Sequence, residues 1–291
     1  MSLEKCLSHW EIPKEKVLQI MSDNGANMVK AVNLLRERAT AEEDEVADDE
    51  EAVDGCDDTG DENPLLVTEL PYRRLGCLAH SLQLVIKEVY KGPYSGIIAK
   101  TRGLVGRISK SSVAMEKVIS KCGKGVISDN STRWNSTYMM SQRLLEVKVP
   151  LNEVLTELNI DSLLTSEWAQ LEQLVSLLQP FCSQTDILQR DAMSLSNTIP
   201  SIFDLQCHLH QFPSAKSVTH AMLQDLSNRF SPLLQPDHPE FNPLPAAVCL
   251  LDPTCASFIL GFDESAIRDG AKAYILARVS IEISAHVLKQ C

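Results

Sequence analysis

The chain has 291 residues, 44% of them hydrophobic and 23% charged, enough apolar side chains for the core of one large domain or two ordinary ones. No apolar run reaches the roughly 18 residues that a bilayer crossing needs, the first residues lack the basic start and apolar stretch of a secretory signal, and nine irregularly spaced cysteines suggest no disulfide framework, so reduced thiols in an intracellular protein are expected. The net charge of −12 is unevenly spread: residues 41–71 carry 14 acids and no base, residues 72–148 carry 14 Lys/Arg against 4 acids, and residues 149–291 carry 7 against 16. A central stretch with this excess of base fits a polyanion, while the acidic flanks oppose non-specific binding.

In chain order, "KVLQIMSDNGANMVKAVNLLRERA" opens with a short apolar run, Val17 to Met21, which predicts a strand ending at Asp23-Asn24. Either of those residues can cap the following helix, whose buried face is predicted to hold Met28, Val32 and Leu35. Residues 41–64 combine dense like charge with few large apolar side chains and read as a disordered acidic loop. "YRRLGCLAHSLQLVIKEVYKG" predicts a second strand, Arg73 to Leu78, and a helix from His80 to Tyr90 that buries Leu82, Val85, Ile86 and Val89. A basic helical stretch follows from Tyr94 to about Lys121, with Ile97, Leu104, Val105, Ile108, Met115 and Val118 inward. A third short strand is expected at Val126 to Ser128, then a long helix after Trp134 that Pro150 kinks or splits. From residue 151 the apolar spacing is helical throughout. The expected fold class is α/β plus all-α: a strand–helix block over 1–150 and an all-helical block over 151–291.

Few motifs carry chemistry. Cys77-x-x-His80 and Cys6-x-x-His9 resemble half-sites for zinc, but they lie far apart, and no metal site is assigned. In Cys207-His208-Leu209-His210 the two histidines point to different helix faces. There is no nucleophile elbow and no phosphate-binding glycine loop, so a small-molecule substrate is not expected. An aspartate at a strand edge, a cysteine–histidine step, a basic helix and the pair Arg133-Trp134 remain.

Those residues carry a resemblance. "QIMSDNGANMVKAV", "RLGCLAHSLQLVIKEV", "DNSTRWNSTYMMSQRLLE" and "LLDPTCASF" look like successive blocks, in order, of the hAT superfamily of transposases and the host proteins derived from them, many of which carry BED-type zinc fingers. The resemblance implies an RNase H-like core with a helical insertion, and DNA strand transfer by three acids that hold divalent metal such as Mg or Mn. It matches Asp23 to the second acid, Cys77 and His80 to the family's Cys-x-x-His step, and Arg133 and Trp134 to its Arg-Trp, whose tryptophan stacks on an extruded base. Stacking of that kind contributes about 1–3 kcal/mol per base; packing of Trp134 into a core is the other reading.

The departures bear on function. Glu4, Glu11 and Glu15 have no strand pattern around them, and Glu264 and Glu282 lie outside the family's closing block, so the chain reads as truncated at both ends with one acid of three. Two-metal chemistry requires converging carboxylates, and a vestigial, catalytically inactive module without a cofactor is expected. Its expected partner is DNA, met through Arg73, Arg74, Arg102, Arg107, Lys110, Lys117, Lys121, Lys124, Arg133 and Trp134. The alternatives are an active transposase that completes its acids elsewhere, and a scaffold or mobile-element remnant that meets proteins through the acidic loop. The resemblance implies a nuclear location, with the cytoplasm as alternative, and no membrane.

Overall fold

Ile20–Ser22 (β1) and Arg74–Gly76 (β2) pair in parallel in the computed structural model, with Ile20 opposite Arg74, Met21 opposite Leu75 and Ser22 opposite Gly76. The structure describes residues 3–13, 16–47, 73–130, 134–188, 195–261 and 265–288. Its contacts divide the chain into two compact units, residues 1–81 and 82–291. The sequence places the change of character near residue 150 instead, but helices on either side of that point pack on one another.

In the first unit, α1 (Leu3–His9) buries Leu7, and α2 (Ala26–Ala47) supplies the helical part of the crossover that a parallel pair requires. Of the three residues expected on the inner face of α2, Val32 is buried, Leu35 half-buried and Met28 exposed. The expected acidic loop begins later than its composition suggests, because residues 41–47 continue α2; the rest of it lies outside the described residues. Helical spacing of charge does not forbid a helix, so net charge alone misplaced that boundary.

The division between units falls inside α3 (Leu78–Lys91), where Leu82, Val85, Ile86 and Val89 are all buried, as their spacing predicts. The long basic helix is instead two helices, α4 (Ser95–Lys110) and α5 (Ser112–Cys122). Ser111 separates them: its backbone is extended, and its side chain accepts from Ala114 N at 3.2 Å, the bond of an N-cap. Gly123 ends α5 in the left-handed conformation, φ 72°, which glycine adopts without strain. The expected third strand is absent, since Val126 to Ser128 pairs with no strand among the described residues.

α6 (Trp134–Glu146) stops at Val147, and α7 (Lys148–Glu157) restarts with Pro150 in its first turn, where a missing N–H costs nothing. α8 (Thr165–Leu188), α9 (Thr198–Gln211), α10 (Lys216–Leu234), α11 (Leu244–Leu251), α12 (Ala256–Leu260) and α13 (Ser265–Leu288) complete the unit. α6 packs on α8, α5 on α7, α9 on α10, and α11 on α13. The core runs through Ile86, Leu104, Ile108, Leu144, Leu151, Leu171 and Phe181, each fully buried and each contributing about 1.5–3 kcal/mol relative to exposure. The described residues are therefore mostly helical, with two short parallel strands.

Candidate functional site

Both strands end in residues that the motifs single out. Cys77 N donates to Ser22 O at 2.7 Å, so the parallel register continues one step past the strands and sets Asp23 and Cys77 side by side at their carboxyl ends. His80 follows on the first turn of α3. This end of a parallel sheet is where α/β folds carry their sites. Asp23 Oδ1 accepts from Gly25 N at 3.0 Å, closing an Asx turn ahead of α2, and the first helical bonds run from Met28 N and Val29 N to Gly25 O, so Gly25 rather than Asp23 or Asn24 stands at the N-cap. Arg74 holds the same turn from β2: its Nε donates to Ser22 Oγ at 2.9 Å, and its Nη2 to Asp23 O at 2.6 Å and Asn24 Oδ1 at 2.7 Å. Asn24 in turn donates to Ser81 Oγ at 3.4 Å, and Ser81 donates to Cys77 O at 3.2 Å. Gly76 permits this arrangement, since a Cβ there would lie 2.8 Å from Asn24 Oδ1.

No three His, Cys, Asp or Glu side chains come together to hold a metal ion among the described residues. The divalent-metal pair that the resemblance implies therefore has no fitting ligand set among them. At the other cysteine–histidine step, the His9 ring packs edge-on against Trp10, with centroids 5.2 Å apart.

The basic residues have mostly found acids within their own unit. Lys117 lies 2.8 Å from Glu157, Lys121 lies 2.8 Å from Glu153 and 3.1 Å from Glu157, and Lys124 lies 3.1 Å from Glu146, so a ladder joins α5 to α7 and the end of α6. Lys100 pairs with Glu167, and Lys148 with Glu172 at 2.8 Å. The hydrogen bonds from Lys117 and then Lys121 hold the Glu157 carboxyl below its ordinary range, Lys124 and then Arg143 do the same for Glu146, and Glu153 raises Lys121. The positive excess of residues 72–148 is thus partly offset by Glu153, Glu157, Glu167 and Glu172, which lie beyond that stretch. Arg107 and Lys110 on α4 have no ion-pair or hydrogen-bond partner among the described residues. Arg107 borders an open groove of about 610 Å³, lined also by Gly103, Leu104, Asp161 and Leu164. Arg73, which precedes β2, is half-buried and partnered.

Trp134 opens α6 and is only 8% exposed, so its ring is a core side chain in this conformation. Tyr90 donates to its backbone oxygen at 3.2 Å, and burial pushes the Tyr90 phenol far above its ordinary value. Arg133 lies outside the described residues. Asp129, which is not among the candidate site residues, anchors the segment ahead of α6. Its carboxylate accepts from Arg102 Nε at 2.7 Å and from Thr137 Oγ1 at 2.9 Å, while Arg102 Nη2 reaches Thr137 at 3.2 Å. Asn130 N donates to Ser136 Oγ at 2.8 Å, and Ser136 donates back to Asn130 O at 2.6 Å. Arg102 is thereby committed to the fold. The signal available in the sequence was Asp129 and Thr137 standing on either side of the Arg-Trp pair.

Comparison with known proteins agrees with the blocks. Residues 75–177 match the family model described as the ZBED1 RNase-like helical domain. The "Putative AC transposase" of Zea mays is 27% identical over 227 residues, 72% of this chain and 27% of that protein. Zinc finger BED domain-containing protein 4 of Homo sapiens is 24% identical over 135 residues, 43% of this chain and 12% of its own length. The "Putative AC9 transposase" of Zea mays is 32% identical over 105 residues, 34% of this chain and 12% of that protein. The chain thus spans 27% or less of the length of these curated relatives.

Proposed function

We propose that this chain, which belongs to the hAT transposase-derived proteins, is a nuclear DNA-handling module that does not cut DNA on its own and retains part of an RNase H-like core. The observation that carries the reading is Asp23. It stands at the carboxyl end of a parallel strand, the place of a metal-holding acid, yet its side chain closes a turn onto Gly25 N ahead of α2 and no ligand set forms around it among the described residues. Strand cleavage by two ions needs carboxylates that converge on metals about 4 Å apart. One aspartate does not provide them.

Contact with DNA is assigned to the face of α4 that bears Arg107 and Lys110, because the other candidate bases described in the same unit are engaged by acids. Trp134 contributes by holding α6 in place rather than by stacking, as long as its ring stays in the core. The test is a duplex-binding titration over a range of salt concentrations. Two phosphate contacts give a slope of log affinity against log salt of about −2, whereas all nine candidate bases would give about −8. Binding that survives Arg107→Ala/Lys110→Ala unchanged refutes the assignment.

Exposed apolar side chains in the first unit favour a second reading, a protein-binding scaffold. Trp10, Ile12, Leu18, Met21 and Met28 are all exposed there, and large exposed apolar side chains are what a protein-binding surface uses. Pull-down with and without residues 41–62 separates binding by the acidic run from binding by the apolar side chains.

A further inference from the structure

We infer that the strand-end site carries its own resident cation, Arg74, which holds the Asp23–Asn24 turn and takes up the oxygen atoms that a divalent ion would need. The inference rests on reading Asp23 as the strand-end acid, and not on whether the chain cuts DNA.

Hard divalent cations bind through several oxygens drawn from carboxylates, side-chain amides, hydroxyls and backbone carbonyls. At the end of β1 the oxygens of those kinds carried by Ser22, Asp23 and Asn24 include Ser22 Oγ, Asp23 O, Asn24 Oδ1 and the Asp23 carboxylate. The first three accept hydrogen bonds from Arg74 at 2.6–2.9 Å, and one carboxylate oxygen already accepts from Gly25 N. A divalent ion at Asp23 would have to displace the guanidinium from oxygens that it holds with a planar fork, and would do so against its positive charge.

Position adds to chemistry. Arg74 is the first residue of β2 and lies opposite Ile20, so its side chain runs along the strand pair to the carboxyl end of β1. It donates to the backbone oxygen of Asp23 and leaves the carboxylate to its bond from Gly25 N. Arg74 is therefore a positioning residue: it fixes the direction in which Asp23 leaves the strand. The phosphate contact expected of it from charge alone gives way to this role.

Two measurements on the full chain test the inference. In the first, Mn²⁺ is titrated against ¹⁵N-labelled protein, and paramagnetic broadening is read at the Asn24 and Gly25 amides. Wild type is expected to match Asp23→Asn, with no selective broadening, whereas Arg74→Gln broadens at lower Mn²⁺ because three oxygens are released. In the second, hydrogen exchange at the Gly25 amide is compared with that of Ile86 in the core. Loss of a charge-assisted hydrogen bond predicts exchange faster by about tenfold or more at Gly25 in Arg74→Gln, with Ile86 unchanged. Arg74→Lys keeps the charge without the fork and is expected to match Arg74→Gln in exchange; it also carries the test if the glutamine variant does not fold. Selective wild-type broadening that Asp23→Asn removes overturns the exclusion of metal. Unchanged Gly25 exchange in both Arg74 variants overturns the positioning role. DNA nicking that does not depend on Asp23 would refute the proposed function and leave this inference standing.

Discussion

Lys121 of α5 lies 2.8 Å from Glu153 and 3.1 Å from Glu157, which sit on successive turns of α7, so one cation bridges two rungs of the facing helix. The bridge changes the meaning of the most conspicuous feature of the sequence. A basic stretch that suggests a DNA surface is, in the folded unit, one half of an intramolecular charge ladder. Exposed pairs of this kind add little stability each, and their value falls with salt. Lys121→Ala is expected to lower Tm slightly at low ionic strength and not at high salt, measured by circular dichroism. A large loss independent of salt would mean that the side chain acts through packing instead.

Acid is expected to open the same contact. The carboxyls of Glu146, Glu157 and Glu167 are held below the ordinary glutamate value of 4.5 by their lysine partners. A depressed folded-state pKa gives stability that is present above the unfolded value and lost as pH falls through the folded one. Stability should therefore be flat from neutral pH to about 5 and fall below 4.5, less steeply in Glu157→Gln. Urea titrations at several pH values check the sign; a gain in stability on acidification would contradict it.

Cysteine reactivity should follow exposure. Burial pushes the thiols of Cys182 up to about 11 and of Cys249 up to about 12, whereas Cys122 and Cys207 are exposed. Only the thiolate reacts, so among the described cysteines Cys122 and Cys207 should be alkylated first at pH 8 and Cys182 and Cys249 only on unfolding. Mass spectrometry of the modified peptides reads the order directly.

Helical periodicity made the large features legible. Leu82, Val85, Ile86 and Val89 recur at the spacing of one helix face, and all four are buried. Pro150 marks the break between α6 and α7 because its ring forbids a continuous helix. The short elements were harder. Val126 to Ser128 has the composition of a strand, but strand identity depends on a neighbour that sequence does not reveal. Ser111 capped a helix inside what read as a single basic run, a signal of one residue. At the strand end, Asp23 was legible from its motif, but Arg74 was read by charge alone. Its role lies in bonds to residues some 50 positions away. The same holds for Asp129, whose partners Arg102 and Thr137 flank it at a distance in the chain.

Trp134 offers a direct optical check. In Trp10→Phe protein the remaining tryptophans, Trp134 and Trp168, are both buried, so acrylamide quenching should be weak and unaltered by DNA. Trp134→Ala is expected to cost about 3–5 kcal/mol of stability, as removal of a buried aromatic ring does. A quenching or shift of emission on adding single-stranded DNA, lost in Trp134→Phe, would show that the ring leaves the core to stack.

Asp23 is expected to have no metal-assisted chemistry to perform in this chain. Incubation of the purified protein with supercoiled plasmid and manganese measures it. Wild type and Asp23→Asn are expected to leave the same fraction of plasmid intact, equal to that in buffer alone. Nicking by wild type that Asp23→Asn abolishes would contradict it.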